Sequence, residues 1–372
     1  MTRDADDRPN LVVICVDCLR QDHVRGDAAD TPFLDALAER GLAARSMFAT
    51  ATTTSPCVAS LLTGTYSERN GVHSLDTGRL DPSVESFPEL FGAAGYHTEA
   101  HVTGPLVTET GLDRGFDSYR YREPEESLFT EFQETLTERL STLPTPFAAY
   151  LHLWELHEPV SVPPAFDDPR YGETPYARAL SALDRRLRAL VDALPEDTLV
   201  AVHGDHGESI TARHSPVRLA LKSVRDALRY YGGVDTRRAV RWLNRRRAGV
   251  GPDVPDHYIE KGHGENVFDF VSNVPFVLSG PGTDDVTVDS QVRQVDVLPT
   301  LLDFLGVEPV DDTPIDGESL LPPNSVSDRT AYIRACGKSL IREANWQRAV
   351  RAEGHKFVEY VDRDWDEELY DL

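Results

Sequence analysis

The sequence predicts an α/β fold: a doubly wound, mostly parallel central sheet flanked by helices, with a small antiparallel sheet subdomain at the C-terminal end. Three observations predict it. Continuous apolar runs rich in β-branched residues recur along the chain, as buried parallel strands require. Amphipathic segments with helix start and stop signals lie between them. The last stretch changes to short polar–apolar alternations. The 372 residues suffice for one large α/β domain with an appendage. We divide them into a large α/β unit, 1–310, and a small α+β subdomain, 311–372.

The elements follow in order. "LVVICV", Leu11 to Val16, reads as the first buried strand. "TPFLDALAERG", 31–41, has the Thr-Pro start and Gly stop of a helix. "FPELFGAAGYHTEAHV", 87–102, reads as helix, Gly turn and strand. "PFAAYLHLW", 146–154, and "TLVAVHGD", 198–205, are two further buried strands, with a helix at about 174–194 between them. "NVPFVLSGPG", 273–282, is a strand closed by a Gly-Pro turn, and "VDVLPTLLDFLG", 295–306, is a helix. Residues 215–258 interrupt this pattern with Arg-rich helices. In the tail, "AYIRAC" and "KFVEYV" carry the period-two pattern of a small antiparallel sheet.

The net charge is -24, and lysine occurs only at 222, 261, 338 and 356. Such a surface fits high salt, where screening tolerates dense carboxylates, and argues against nucleic acid as a partner. The four cysteines imply no disulfide framework in a chain of this length. Cys15 and Cys18 form a C-x-x-C, but a strand and Asp17 interrupt it and no second pair exists, so we expect no thiol metal site there. "MTRDADDRPN" contains no apolar signal segment and no stretch approaches a membrane span, so the expected location is cytoplasmic.

"TTTSPCVASLLTG", 52–64, crowds four hydroxyls where a loop meets a helix start. Such hydroxyls either cap the helix or attend an anion held by its free N–H groups. In open α/β sheets, ligands bind beyond the carboxyl ends of the strands. There the sequence puts Asp17, then His203, Asp205, His206 and Glu208, then His152 and His157, with His263 just before the strand at 273. Carboxylates and imidazoles converging from separate strands are the usual O and N donors for a divalent cation.

"NLVVICVDCLRQDHV", "TPFLDALAERG", "SPCVASLLTG", "GLDRGFDSY", "HLWELHEP", "HGDHGES", "GHGENVFDFVSNVPFVLSGPG", "RQVDVLPTLLDFLGV", "IDGESLLP" and "EELYDL" occur in this order. The series resembles the sulfatase family of the alkaline phosphatase superfamily, from about residue 10 to the C-terminus apart from the Arg-rich insert.

The resemblance implies a hydrolase of sulfate or phosphate esters, in which Asp17, Thr54, Asp205 and His206 hold a divalent metal and Thr54 is the nucleophile. His157 and His263 resemble the histidines that hold the transferred group's oxygens or a second metal. Lys261 and Lys338 are candidates for neutralising substrate charge, and His152, His203 and His214 for supporting or surface positions. Family sulfatases carry C-x-P-S-R, whose cysteine becomes formylglycine; the aligned segment here is Thr54-Ser55-Pro56-Cys57-Val58. Threonine is instead what superfamily phosphodiesterases and phosphoethanolamine or phosphoglycerol transferases use. On that reading Ser55 and its neighbours cap the helix.

Cys18 stands where calcium-dependent sulfatases carry a second aspartate, which tilts the choice among zinc, manganese and calcium away from calcium. The implied partner is a small or polymeric anionic ester, such as a sulfated or phosphorylated glycan or lipid head group. For the Arg-rich insert two readings stand: a lid over a polyanionic substrate, or ion pairing with the acidic body or another subunit. Two alternatives to hydrolysis remain at this level: a phospho- or sulfo-group transferase, and a silent member that binds anionic glycans.

Overall fold

The computed structural model describes residues 8–75, 77–210, 215–247, 259–309, 314–337, 346–361 and 363–372. Its main sheet has eight strands: β1 (Asn10–Val16), β2 (Leu42–Phe48), β3 (His97–Val102), β4 (Ser118–Tyr121), β5 (Phe147–Leu153), β6 (Thr198–Gly204), β7 (Asn273–Ser279) and β8 (Val286–Arg293). Their order is β4-β3-β5-β1-β6-β7-β2-β8. β1, β5 and β6 are buried along their whole length. This is why they read as unbroken apolar runs rather than as alternations.

Helices cover both faces. One face packs against the helices Thr54–Thr63, Phe87–Ala93 and Val297–Leu305, through residues such as Val58, Leu61, Phe91 and Leu301. The other packs against Pro32–Glu39, Phe132–Ser141 and Pro175–Val191, through Phe33, Leu37, Leu136, Leu180 and Leu187. The doubly wound expectation therefore holds.

One strand breaks the parallel rule. β7 runs antiparallel to both of its neighbours, β6 and β2. β2 and β8 are parallel to each other. The reversal has a consequence for the site: the start of β7, not its end, lies at the edge where β1 and β6 finish. Hence the segment before β7, with His263, reaches the same edge as the segments after β1 and β6.

Several elements escape the sequence reading, among them β2, β4, β8 and one helix. β4 and β8 sit at the sheet's two edges, where most of their residues are only partly buried, so neither reads as an unbroken apolar run. The helix Phe132–Ser141 buries only Gln133, Leu136 and Leu140, too few for a strong period.

The second sheet, in the order β12-β11-β10-β9, is antiparallel throughout: β9 (Ala331–Ala335), β10 (Gln347–Ala352), β11 (His355–Tyr360) and β12 (Glu368–Asp371). It shares a core with the main body, since Ile333, Ala349 and Val358 pack on Phe48 and Val267. The Arg334 amide donates to the Thr50 carbonyl at 3.0 Å and the Gly337 amide to the Gly264 carbonyl at 2.8 Å. These bonds tie the small sheet to the loops on either side of the site.

Candidate active site

The helix Thr54–Thr63 begins at Thr54 itself, with Thr53 as its extended N-cap residue, and ends on Gly64 at φ 65°. All ten of its residues are buried. Capping does not explain the hydroxyls. No side-chain hydrogen bond caps this helix. Among the described residues, the buried Thr52 and Ser55 hydroxyls have no hydrogen-bond partner. Thr53 Oγ1 meets Cys336 Sγ at 3.2 Å instead. The expectation that Ser55 and its neighbours cap is therefore corrected: the helix start is sunk in the core, against the ends of β1 and β6.

Thr54 Oγ1 lies 3.3 Å from His206 Nε2. The same nitrogen is 3.5 Å from Asp17 Oδ1 and 3.4 Å from Asp205 Oδ2. Asp17, Asp205 and His206 show no exposed surface, and Thr54 is 1% exposed. Three segments supply these groups: the end of β1, the end of β6 with the residues that follow it, and the helix start. His206 Nδ1 faces the Gly207 carbonyl at 2.9 Å, which fixes the tautomer with the proton on Nδ1 and the lone pair of Nε2 aimed into the cluster. Asp205 Oδ1 accepts from the His206 amide at 2.7 Å and from the Cys18 amide at 3.2 Å. Gly207 has no room for a side chain, since a Cβ there would lie 2.2 Å from the Phe270 carbonyl oxygen.

Both oxygens of Asp17 and Oδ2 of Asp205 are buried without a hydrogen-bond partner among the described residues. Burial, then the neighbouring Asp205 carboxylate, pushes the Asp17 carboxyl far above the usual range. Two carboxylates buried side by side are costly without a counter-charge. One donor atom each from Asp17, Asp205 and His206 falls within 4.8 Å of the others. The unpartnered oxygens, the aimed imidazole and the oxygen–nitrogen donor set fit a divalent cation.

A second layer borders this group. His263 stacks obliquely on His206, with ring centroids 4.3 Å apart, and its Nδ1 lies 3.2 Å from Glu208 Oε2. Burial alone would lower the His263 pKa, but the Glu208 carboxylate, with Asp17 and Asp205, raises it to about 9. His157 meets His263 edge-on at 5.3 Å and stacks on the Trp154 ring at 3.9 Å. Burial lowers its pKa to about 4. Cys18 Sγ, at 3.5 Å from Glu208 Oε2 and 3.7 Å from His263 Nδ1, completes the row. Glu208 and Trp154 were not assigned roles from the sequence. The sequence places Glu208 at this edge but gives it no role, whereas the Trp154–His157 stack depends on a turn no pattern reveals.

The remaining expected residues fall differently. Lys261 Nζ pairs with Glu158 Oε2 at 2.9 Å, next to His157 rather than at Thr54. Lys338 and His214 lie outside the described residues. His152 and His203 are fully buried, not at the surface. Beside Trp154 and His157 opens a cleft of about 500 Å³, lined also by Phe129, Pro159, Val162 and Pro164.

In the Arg-rich insert, the helices Pro216–Asp226 and Arg237–Arg247 hold most of their described cations in ion pairs. Arg225 is buried between Asp226, Glu260 and Glu265, and Lys222 bonds Asp226 at 2.9 Å and Glu265 at 2.7 Å. Arg237 pairs with Asp235 at 2.7 Å and lies over the Tyr360 ring at 4.7 Å; Arg241 meets Glu368 at 3.3 Å. Of the two readings of the insert, this geometry favours internal pairing.

A family model described as Sulfatase matches residues 9–307. The chain belongs to the sulfatase family. Among curated proteins, arylsulfatase G of Rattus norvegicus is 26% identical over 271 residues, covering 54% of this chain and 51% of the relative. The chain thus spans about half the length of the curated relative it matches. Among solved structures, the phosphonate monoester hydrolase of Agrobacterium radiobacter matches with a TM-score of 0.69 at 19% identity, covering 98% of this chain and 89% of that one. A 2-O GAG sulfatase matches at a TM-score of 0.67 and 19% identity, covering 98% and 85%. A protein solved with its substrate D-glucosamine-2-N,6-O-disulfate matches at 0.66 and 15%, covering 98% and 91%. At these identities the structural likeness speaks to the fold of this sulfatase-family chain. Among its described residues no helix is long and apolar enough to cross a membrane.

Proposed function

We propose that this sulfatase-family chain is a metal-dependent hydrolase of sulfate or phosphate esters, with Thr54 as its nucleophile. One observation carries the reading: Thr54 Oγ1, 3.3 Å from His206 Nε2, adjoins a buried acidic cluster whose Asp17 oxygens have no hydrogen-bond partner among the described residues. Asp17, Asp205, His206 and Thr54 would hold the cation. A bound divalent cation supplies Lewis acidity there, lowering the pKa of an adjacent hydroxyl and drawing charge from an ester oxygen.

The chain's own groups do the rest. Thr54 Oγ1 gives up its proton and forms a bond to sulfur or phosphorus. The bond from that atom to the alcohol oxygen breaks, and the departing alcohol takes up a proton. Water then cleaves the Thr54 ester, releasing sulfate or phosphate and restoring the hydroxyl. His263 and His157 stand beside His206, where an ester's remaining oxygens would lie. His263, kept protonated by Glu208, has an N–H to give to developing negative charge, whereas neutral His157 commits its Nδ1 proton to the Glu158 carbonyl at 2.8 Å and serves to pack the site. The alcohol part of the substrate rests in the cleft beside Trp154, Phe129 and Val162, a surface suited to a sugar or aryl face.

The names of the similar proteins support an anionic ester as substrate, and phosphate and sulfate remain equal candidates within it. The test is turnover of aryl sulfate, aryl phosphate and aryl phosphodiester in high salt by metal-loaded protein and by Thr54→Ala. Turnover of one ester that disappears in Thr54→Ala supports the reading. Equal rates in both proteins, or turnover of none of the three, overturns it.

A further inference from the structure

Beneath the Thr54 site lies a row of polar groups that the proposed reaction does not use. β5, β1 and β6 are adjacent, and in their register Cys15 pairs with both His152 and His203. Residues paired across parallel strands project to one face. The side chains of Leu11, Val13 and Cys15 share that face with Ala148 and Tyr150 on one side and Leu199 and Ala201 on the other. His152 and His203 continue those two flanking series by two residues; Asp17 continues the Cys15 series on β1, and Asp205 the His203 series on β6. Cys15, His152 and His203 thus form one row across the sheet, a single pleat below the carboxylates of the site.

This row is sealed. Cys15, His152, His203 and Asp205 have no exposed surface. Neither ring nitrogen of His152 has a hydrogen-bond partner among the described residues, and the same holds for His203 Nε2 and Asp205 Oδ2. A buried imidazole with both nitrogens unsatisfied demands an occupant, water or ion. Cys15, His152 and Asp205 each offer a donor atom within 4.8 Å of the others. Water would satisfy the imidazole, and the Cys15 thiol meets the Tyr150 hydroxyl, but water brings no counter-charge to Asp205, buried beside Asp17 with an unpartnered oxygen. A thiolate, an imidazole and a carboxylate at this spacing supply three of the four donors of a tetrahedral zinc, and one enclosed water would complete it.

We propose that Cys15, His152 and Asp205 form a second, fully buried zinc site, which shares Asp205 with the site at Thr54. The C-x-x-C therefore works as two separate thiols. Cys15 points into the sheet's core, whereas Cys18, at φ 63°, turns toward Glu208 and His263. The buried ion neutralises one side of Asp205 and holds its carboxylate in place for the outer site. With no opening to solvent, it is loaded as the chain folds. The proposal stands whether or not Thr54 is the nucleophile, because its readout is coordination rather than turnover.

Cobalt(II) replaces zinc and shows a thiolate-to-metal charge-transfer band in the near ultraviolet. Of the cysteines among the described residues, only Cys15 and Cys18 occur in groups with metal-ligand spacing. The full chain with Cys18→Ser, refolded with cobalt, is the decisive protein. We expect it to keep the band, and we expect Cys15→Ser to lose the band together with about one metal equivalent per chain. His152→Ala, checked for folding by circular dichroism, is expected to lose the same equivalent if Cys15→Ser does not fold. A Cys18→Ser chain that folds without the band overturns the proposal. So does a Cys15→Ser chain with the band and metal content of the parent, the result expected if water fills the row.

Discussion

Thr54 Oγ1 and His206 Nε2 lie 3.3 Å apart although 152 positions separate them in the chain. The hydroxyl arrives on a helix start and the imidazole on the loop after β6, and both are buried. The imidazole's other nitrogen is already occupied by the Gly207 carbonyl, so Nε2 has one direction left to serve.

Replacing Thr54 with alanine is expected to lower kcat/KM by about 10³-fold or more, because a covalent step loses its only oxygen. Thr54→Ser keeps the oxygen and gains rotamer freedom, so it should retain measurable turnover. Steady-state kinetics on aryl esters checks both. Equal losses in the two variants would mean that shape at this position, and not the hydroxyl, carries the effect.

Chelation should inactivate the protein and also lower its thermal midpoint. A cation bound only to the folded chain stabilises it by mass action, and its removal leaves Asp17 and Asp205 buried side by side. Differential scanning calorimetry with and without chelator reads this directly. An unchanged midpoint would mean that no stabilising cation had been there.

The buried arginine of the insert should matter far more than an exposed one. Arg225 is 5% exposed and is held by Asp226, Glu260 and Glu265. Arg225→Ala leaves those carboxylates buried without it and should cost about 3–5 kcal/mol. Arg241, whose side chain is half exposed, pairs with Glu368; Arg241→Ala should cost less than about 1 kcal/mol. Denaturant midpoints compare the two. If Arg225→Ala keeps the parent's midpoint, the network is ornamental to stability.

Acid should unpick a second cluster at the sheet's far edge. Glu99 on β3 has no exposed surface and meets Arg139 at 2.5 Å and His101 at 2.7 Å. Burial alone would raise the Glu99 carboxyl, but Arg139 and then His101 hold it well below its usual range. A depressed folded-state pKa stabilises the fold above the unfolded value and loses that contribution as pH falls toward the folded one. Glu99→Gln should therefore weaken the protein near neutral pH, with the gap to the parent narrowing below about pH 4.5. Urea unfolding across that range measures the gap, and a gap that stays constant with pH rejects this role.

Several of these features were visible in the sequence and others were not. The buried strands β1, β5 and β6 announce themselves because both of their faces need apolar side chains. The edge strands β4 and β8 do not, because most of their residues are only partly buried or exposed. Asp17, Asp205 and His206 stand out because they end strands. A hydroxyl-rich helix start suggests capping by Ser55. That expectation fails because the start is buried, where tertiary neighbours rather than local spacing set each hydroxyl's partner.

By itself, then, the sequence determined the layered α/β architecture, the small antiparallel sheet and the residues that gather at one sheet edge, since burial pattern and turn residues are local properties of the chain. Only the tertiary structure decided that β7 runs backwards, which brings His263 to that edge, and that Cys15 faces His152 while Cys18 turns to Glu208. Strand direction and register are set by which surfaces pack together, and a strand's composition reads the same from either end.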